Sequence, residues 1–386
     1  MKRRPTVRNL SLAARVKVEV IAELLQRSGH NVEVLSQGEV SKGAPLKFYP
    51  AFADSEPFDP RIQVFYSSAL PVRFLNGLWS GLSLLRTFQA RHKISPYDAM
   101  LIYNFKVPQR MCARYAAERL GLPVVLEYED DVFVNVAGQE ITGFRHSRHL
   151  SSVRKVLSLA SAGIGVTPHV LTQMPRSIPK LLLRGVVSDE IAKAIQPPMI
   201  SRKNWIAFSG TFSRTKGLEQ LIEAWHILAP TTDWELHVAG DGQVGDRLRR
   251  MAANSRSIVF HGLLNRSENA RLLCSAKIGI NPHDLSATPG NCFAFKIIEY
   301  LAAGMHVIST PMGTLEPEIE SGITYMPNNK AETIAATLRK VIGNHRYERT
   351  AVQATLQTYG PEAVASSLQN ILNRAMSHRR ERRECV

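Results

Sequence analysis

The amino-acid sequence predicts an α/β protein in which two doubly wound halves follow one another. From residue 16 onward, short runs rich in β-branched residues alternate with stretches whose apolar residues recur at helical spacing. The same alternation restarts after a proline-containing break at residues 186–204. Strands that alternate with helices are typical of parallel sheets with crossover helices, and 386 residues are enough for two such domains.

The first half begins with a helix that Ser28-Gly29 ends, and a later helix ends at Leu120-Gly121, because glycine readily adopts the left-handed conformation at helix ends. The predicted strands are 31–35, 62–66, 99–103, 123–128, 163–166 and 180–183. The predicted helices are 16–27, 72–92, 109–119 and 148–160. We assign residues 1–187 to this domain and residues 188–204, which contain Pro197 and Pro198, to a linker.

The second half, residues 205–360, repeats the pattern. Its predicted strands are 205–208, 235–239, 257–260, 277–280, 305–309 and 322–325, and its predicted helices are 217–228, 244–253, 266–275, 294–303 and 331–343. Residues 361–386 are expected to form a terminal helix and a basic tail that pack back on the first domain. Ligands of doubly wound sheets bind beyond the carboxyl ends of the strands, so we expect a ligand site in a cleft between the two sheets.

The composition excludes several classes of protein. A hydrophobic fraction of 44% is globular, which excludes disordered and fibrous proteins. Four cysteines without a C-x-x-C pair argue against a disulfide scaffold and a zinc module. The basic N-terminus lacks the apolar core of a signal peptide, and the uncharged stretch 74–85 is shorter than the ~20 residues that cross a bilayer.

The net charge of +15 is concentrated at the two ends of the chain. Residues 1–17 hold six Lys/Arg and no acid, and residues 374–386 hold five Arg and two Glu. Such ends are either solvated tails or contacts for an anionic partner, and residues 74–85 either touch a membrane or form an ordinary buried face. We expect a cytoplasmic protein that is able to bind peripherally to the anionic inner face of the membrane. Nucleic acid is not expected, because only 7% of the residues are aromatic.

The glycines of Gly240-Asp-Gly-Gln-Val-Gly245 match the dinucleotide-binding fingerprint G-x-G-x-x-G. The fingerprint also needs an acid at the end of the next strand, where this chain has His261 and Gly262. We therefore favour a tight strand-to-helix turn over a nicotinamide or flavin site.

Two other segments carry residues suited to a phosphate and a ribose. A predicted strand ends at Phe208 and leads through Arg214 and Lys216 into a helix, and fixed cations beside a helix N-terminus suit a diphosphate. The polar residues 287–291 precede another helix, whose first amides suit phosphate or sugar oxygens. Glu299 lies two turns further in, where its carboxylate suits the hydroxyls of a ribose.

In order and spacing, residues 204–343 resemble the nucleotide-sugar-binding domain of the GT-B glycosyltransferases of family 4. The resemblance covers the lysine-glycine loop at 216–217, the segments 236–242 and 258–262, and the segment 291–299, which falls on the paired-glutamate motif of the family. The first half is similar in arrangement only. The resemblance implies the GT-B fold, in which two Rossmann-like domains face a central cleft and the first domain binds the acceptor.

The resemblance also implies an enzyme of the hexosyltransferase class. It would be a retaining glycosyltransferase that uses a UDP- or GDP-sugar, without a cofactor or metal. It would deliver the sugar to a glycan or lipid-linked acceptor in cell-surface polysaccharide or glycolipid synthesis. Two alternatives remain open: a nucleotide-sugar-binding scaffold with weak or no transferase activity, and a nucleotide-sugar epimerase or phosphorylase of the same fold.

Residue by residue, the resemblance assigns a donor site. Lys216 matches the phosphate-binding lysine of the family, and Glu299 matches its ribose-binding glutamate. Asn291 stands where the family has a sugar-contacting glutamate, and we expect it to act in catalysis. Thr211 replaces an arginine of the family, and Arg214 is expected to take its role. The complete expected donor-binding set is Gly210, Thr211, Arg214, Lys216, Leu263, Phe293, Ala294, Phe295 and Glu299.

The family places a polar catalytic-site residue after the first-domain strand that here ends at Tyr128. Glu129 and Asp130 occupy that position, and we expect their carboxylates to stabilise positive charge at the anomeric carbon. The other interpretation is an acidic turn that caps a helix. The chain's scattered single histidines, His283 among them, are interpreted as structural, although His283 precedes the second donor segment.

Overall fold

The computed structural model describes residues 12–37, 45–54, 60–72, 75–129, 133, 144–195, 202–228, 233–287, 293–344 and 347–384. These residues form two compact units. The first unit holds the described residues up to 133, those between 144 and 183, and those from 365 onward, and the second unit holds those between 184 and 364. Among the described helices, none is long and apolar enough to cross a membrane.

The described strands of the first unit form two sheets. The strands are β1 (Glu33–Ser36), β2 (Phe52–Asp54), β3 (Gln63–Tyr66), β4 (Met100–Tyr103), β5 (Val124–Tyr128), β6 (Ala162–Gly165) and β7 (Lys180–Leu182). Strand β3 pairs in parallel with β1 and antiparallel with β2, and β4 to β7 form a parallel sheet in that order. The helices are α1 (Leu12–Arg27), α2 (Asn76–Ile94), α3 (Val107–Tyr115), α4 (Phe144–Leu159) and α5 (Pro168–Thr172).

The second unit is built on one six-stranded sheet. The strands are β8 (Lys203–Ser209), β9 (Glu235–Ala239), β10 (Ile258–Gly262), β11 (Ala276–Asn281), β12 (His306–Ser309) and β13 (Ile323–Tyr325). They run parallel in the order β10-β9-β8-β11-β12-β13, which is 3-2-1-4-5-6 when the strands are numbered within the unit. In doubly wound sheets of this order, the direction of strand progression reverses between the first and fourth strands, here β8 and β11, and ligands bind there.

Helices connect these strands and cover both faces of the sheet. They are α6 (Asp189–Ala194), α7 (Leu218–Leu228), α8 (Gly245–Met251), α9 (Arg266–Ser275), α10 (Lys296–Ala302), α11 (Pro317–Glu320), α12 (Ala331–Asn344) and α13 (Arg349–Tyr359). Ile206 and Phe208 pack in one apolar cluster with Trp225, whereas Ala207 packs in another with Tyr300. Alternate residues of β8 thus serve the two faces, as the two-residue repeat of a strand requires.

The last helix, α14 (Pro361–Glu384), belongs to the first unit from Ala365 onward. His30 Nε2 lies 2.6 Å from Gln369 Oε1. Arg379 donates from Nη2 to the carbonyl oxygen of Ala117 at 2.7 Å and from Nε to that of Gly121 at 3.3 Å. The basic part of this helix therefore binds the carbonyl groups where a π-helical turn, Ala116–Leu120, ends.

Five elements, β2, α5, α6, α11 and α13, are absent from the sequence-based prediction, and α6 lies within the predicted linker. Strand β2 has three residues, and α5, α6 and α11 have five, six and four, so none of these four is long enough to show a hydrophobic repeat. Helix α13 has eleven residues, and its buried residues Ala351, Val352, Thr355 and Tyr359 do recur at helical spacing. For α5 and α6, the capping residues are the available signal. Thr167 and Ser188 accept hydrogen bonds at 3.4 Å from the amides of Val170 and Ile191.

Candidate functional site

Two loops meet where the second sheet changes direction: the β8 loop (residues 210–217) and the β11 loop (residues 282–287). Gly217 has a φ of +67°, and a Cβ at this position would lie 1.8 Å from the carbonyl oxygen of Pro282. The amide of Asp284 donates to the carbonyl oxygen of Thr215 at 2.9 Å. A side chain at position 217 would push the two loops apart, so glycine is required for their contact.

This contact between the loops positions the amine of Lys216. Lys216 Nζ lies 2.9 Å from His283 Nε2, and His283 Nδ1 lies 3.3 Å from Asn281 Oδ1. Asn281 Nδ2 donates to Ser309 Oγ at 2.9 Å, which turns the amide oxygen of Asn281 toward the histidine. Burial, together with the charges of Lys216 and Lys296, lowers the pKa of His283 to about 2. The ring is therefore neutral, with its proton assigned to Nδ1 and its Nε2 accepting from Lys216.

A second lysine, Lys296, begins helix α10 and approaches the β8 loop. Its Nζ is buried and lies 3.6 Å from the centroid of the Phe208 ring. Burial and then the charge of Lys216 lower the pKa of Lys296 well below its ordinary value, although Glu299 opposes the shift. Burial also raises the pKa of Glu299 to about 7, with Lys296 opposing. The site therefore combines two amines and a carboxyl group in a poorly hydrated environment.

Tyr300, the residue after Glu299, ties helix α10 to the end of β8. Its hydroxyl accepts a hydrogen bond from the amide of Ser209 at 2.7 Å. The Oγ of Ser209 donates to Asn269 Oδ1 at 2.7 Å. Ser209, the last residue of β8, is thus held by hydrogen bonds to both α10 and α9.

The glycines of the predicted strand-to-helix turn pack against the β8 loop. A Cβ on Gly240 would lie 1.9 Å from the carbonyl oxygen of Gly210, and a Cβ on Gly242 would lie 2.5 Å from that of Phe212. The amide of Phe212 donates to the carbonyl oxygen of Asp241 at 2.9 Å. Close backbone packing therefore accounts for both glycines.

The second unit matches a known family of enzymes. Residues 203–344 match the family model of the glycosyl transferases group 1. This segment contains β8, the β8 loop, the β11 loop and helix α10, so the match covers the site described above. Over this segment, the chain is similar to the glycosyl transferases group 1.

Solved structures of glycosyltransferases share the fold of this chain, which is GT-B. Sucrose-phosphate synthase from Thermosynechococcus elongatus aligns with a TM-score of 0.67 and 15% identity over 94% of this chain and 93% of that one. HepE of Anabaena, solved with UDP and glucose, aligns with a TM-score of 0.61 and 16% identity over 94% and 96% of the two chains. WaaG, a glycosyltransferase involved in lipopolysaccharide biosynthesis, aligns with a TM-score of 0.60 and 16% identity over 92% of this chain and 95% of that one. No curated protein matched this sequence.

The expected donor-binding residues fall into three places. Gly210, Thr211, Arg214 and Lys216 lie in the β8 loop, Phe293, Ala294, Phe295 and Glu299 lie just before or within α10, and Leu263 follows β10 with 64% of its surface exposed. Of these, the structure brings Lys216 and Glu299 close to Lys296, whereas Arg214 is exposed. Asn291 lies outside the described residues. The donor-binding roles of all these residues stay predictions.

Sequence reasoning missed two residues of the site. The sequence pattern favours a structural role for His283, whereas the structure shows His283 holding the amine of Lys216. Lys296 is not among the expected residues, because it lies inside the motif, between Phe295 and Ile297. A lysine flanked by apolar residues in a buried helix was the available signal, because a charged group seldom occupies such a position without a partner.

In the first unit, Glu129 follows β5 and belongs to a buried ionic cluster. Lys17 Nζ lies 2.5 Å from Glu127 Oε1 and 2.5 Å from Glu129 Oε1, and the hydroxyl of Tyr103 donates to Glu129. Burial opposes the charge of Lys17, but the two carboxylates raise its pKa above the ordinary value. Glu129 is therefore held in one orientation by a lysine and a tyrosine. The expected partner Asp130 lies outside the described residues.

Proposed function

We propose that this protein is a glycosyltransferase that moves a sugar from a UDP- or GDP-sugar to a glycan or lipid-linked acceptor, with retention of the anomeric configuration. The pathway we propose is the synthesis of cell-surface polysaccharide or glycolipid. The observation that carries the proposal is the position of Lys216 and Glu299 at the reversal point of a doubly wound sheet, within the matched family segment. HepE was solved with UDP and glucose, and TarM of S. aureus, which aligns with a TM-score of 0.52 and 12% identity, was solved with UDP and a glycosylated glycerol.

The chemistry of the site supports departure of a nucleoside diphosphate. The amine of Lys216 lies beside a neutral histidine that adds no charge of its own, and we infer that this amine binds a phosphate of the donor. A cation placed where negative charge develops stabilises the leaving diphosphate in the transition state. Glu299 would bind the ribose hydroxyls when ionised, as its place in the motif implies.

The orientation of Glu129 suits a different task, stabilisation of the sugar. A carboxylate held by Lys17 and Tyr103 does not need to reorganise as positive charge builds at an anomeric carbon. Asn291 is proposed to bind the sugar hydroxyls with its amide. In a retaining reaction, the acceptor attacks from the same face as the departing diphosphate.

The test is a thermal-shift screen against UDP-, GDP-, ADP- and dTDP-sugars, followed by calorimetric titration of the sugar nucleotide that binds. Lys216→Ala and Glu299→Ala should each weaken binding about tenfold or more, since each removes a charged hydrogen-bonding partner. Lys340→Ala and Glu332→Ala, which change exposed residues of α12, are the matched controls. Unchanged affinity in both site variants would contradict the assignment.

Product analysis separates the alternatives. A protein from Listeria monocytogenes that is named a putative UDP-N-acetylglucosamine 2-epimerase aligns with this chain at a TM-score of 0.54 and 14% identity, so epimerisation is an alternative to test. An epimerase would change the sugar nucleotide without an acceptor, and a scaffold would bind it without turnover. Transfer that requires an added acceptor supports the main proposal.

We also propose peripheral contact with an anionic membrane, through an apolar stripe of the first unit. Leu75, Leu78, Trp79 and Leu82 recur at helical spacing along α2, with 54%, 52%, 43% and 42% of their surfaces exposed. The ring of Phe48, itself 54% exposed, lies 6.1 Å from that of Trp79. Helix α2 contains no acid, so nothing on it repels anionic lipid.

Vesicle sedimentation tests this surface. The chain should bind vesicles that contain phosphatidylglycerol more than vesicles of phosphatidylcholine alone, and Leu78→Ser should reduce that binding. Ile227→Ser is the matched control, because Ile227 is 47% exposed on the second unit. Equal sedimentation of both variants and the parent chain would rule out the stripe as the contact.

A further inference from the structure

We propose that Lys296, rather than Arg214, is the second cation that binds the phosphates of the donor, beside Lys216. The inference rests on the proposed nucleoside-diphosphate donor. It assigns a ligand to a buried amine that neither the fold nor the ionic contacts of the described residues explain.

The amine of Lys296 lacks a hydrogen-bonding partner. Its Nζ is buried and donates no hydrogen bond to any described residue. One face of the amine is covered by the Phe208 ring, 3.6 Å from the ring centroid. A cation–π contact compensates for only part of the hydration free energy that a buried ammonium loses. This amine therefore does not stabilise the unliganded protein. Its burial therefore calls for a partner that binds to the site.

The backbone of the β8 loop leaves room for the amine. A Cβ on Gly210 would lie 2.9 Å from Lys296 Nζ, closer than real Cβ atoms approach, and Gly210 has a φ of +149°. Glycine at this position therefore permits both the backbone conformation and the close approach of the Lys296 amine. The amine lies against the same loop that carries Lys216, whereas Arg214 of that loop is exposed to solvent.

The charges of the site favour an anion with more than one negative charge. The described groups that face Lys296 are the amine of Lys216, which repels its charge, and the carboxyl group of Glu299, which attracts it. His283 is neutral and adds nothing. Two amines thus face one carboxyl group, and burial holds the pKa of Lys296 low and that of Glu299 high. A diphosphate supplies the negative charge that would restore the protonated form of Lys296.

The experiment is calorimetric titration with inorganic pyrophosphate, UDP and GDP. Lys296→Met keeps the length and apolar stem of the side chain but removes the amine, and Lys340→Met does the same on the exposed face of α12. We expect Lys296→Met to lower the affinity for pyrophosphate and for the nucleotide that binds by about tenfold or more. The affinities of Lys340→Met for pyrophosphate and nucleotide should stay within twofold of those of the parent chain. Arg214→Met should lose less affinity than Lys296→Met.

Thermal unfolding of the same proteins separates ligand binding from folding. Lys296→Met should unfold at the same temperature as the parent chain or higher, because a buried amine without a partner is replaced by an apolar group. Lys296→Gln, titrated in parallel, covers the case in which the methionine variant does not fold. Unchanged pyrophosphate and nucleotide affinity in the folded variant overturns the inference, as does a larger loss in Arg214→Met.

The outcomes also separate this inference from the proposed function. Lys296-dependent binding of pyrophosphate without binding of any nucleotide sugar would support the phosphate site and overturn the proposed donor. Nucleotide-sugar binding that is indifferent to Lys296→Met would leave the proposed function intact and overturn this inference alone. If the parent chain binds neither pyrophosphate nor nucleotide, both are overturned.

Discussion

The two units each bury a lysine amine, and the two amines have opposite surroundings. In the first unit, Lys17 lies within 2.5 Å of two carboxylates. In the second unit, Lys296 donates to no described residue, and it faces an aromatic ring, another lysine and the carboxyl group of Glu299. The pKa shifts follow, since the carboxylates raise the pKa of Lys17 against the effect of burial, and burial lowers that of Lys296. A paired buried lysine belongs to the architecture, whereas an unpaired one points to a ligand.

Substitution of Lys17 should have the largest effect on stability. Lys17→Met leaves the carboxylates of Glu127 and Glu129 without their cation, and Glu127 is almost completely buried. Removal of one partner from a buried ion pair costs about 3–5 kcal/mol. We therefore expect the free energy of unfolding in urea to fall by about that amount, in contrast to Lys296→Met, which should leave it unchanged or raise it.

A second substitution checks the cause of that loss. Glu127→Gln in the Lys17→Met background removes the stranded negative charge and should recover part of the lost stability. The exposed control Lys340→Met should change the free energy of unfolding by no more than about 0.5 kcal/mol. Equal losses in Lys17→Met and Lys296→Met would show that the two amines do not differ in the way their surroundings indicate.

The carboxyl group beside Lys296 should make stability depend on pH. Burial raises the pKa of Glu299 from 4.5 to about 7 in the folded chain. Between these values the folded state binds more protons than the unfolded state, so this group's contribution to stability falls as pH rises and levels off above about pH 7. The shift of about 2.5 pKa units corresponds to a loss of at most about 3–4 kcal/mol, at ~1.4 kcal/mol per pKa unit.

Urea unfolding of the parent chain and of Glu299→Gln at pH 5 and pH 8 measures this effect. The free energy of unfolding of the parent chain minus that of Glu299→Gln should be smaller at pH 8 than at pH 5. Glu332→Gln, at an exposed position of α12, should show no such change. A difference that does not vary with pH would mean that Glu299 is ionised as freely as an exposed carboxylate.

The sequence predicts the long elements of both units except α13, because residues such as Phe88 in α2 and Trp225 in α7 follow the repeat of a helix with one buried face. It also identifies Lys216 and Glu299, since the motif places them at a fixed spacing from strand ends. The prediction fails for short elements. Three-residue β2 pairs at an edge of its sheet, where few of its side chains need to be apolar.

Contacts between distant segments account for the rest of what the sequence misses. Lys216 and His283 are separated by 67 residues, and Lys17 and Glu129 by 112. The first pair depends on the packing of two loops, with the approach of Gly217 to Pro282, and the second on the packing of helix α1 against the end of β5. Neither periodicity nor composition encodes that approach. From the sequence alone, single residues such as His283 and Lys296 are therefore interpreted as structural, because their shared charged neighbour, Lys216, is distant in the sequence and its proximity becomes visible only in the fold.

The smallest predicted effect concerns the histidine that distinguishes Lys216 from Lys296. His283→Leu removes the neutral acceptor of the Lys216 amine and should lower nucleotide affinity by about two- to tenfold, the equivalent of one hydrogen bond. His283→Gln retains a side-chain oxygen that can accept from Lys216 and should restore much of the affinity. Calorimetric titration with UDP and GDP measures both variants. Because the pKa of His283 is about 2, its contribution should not change between pH 6 and pH 8. Equal affinities in the leucine and glutamine variants would show that nucleotide binding does not depend on the hydrogen bond between Lys216 and residue 283.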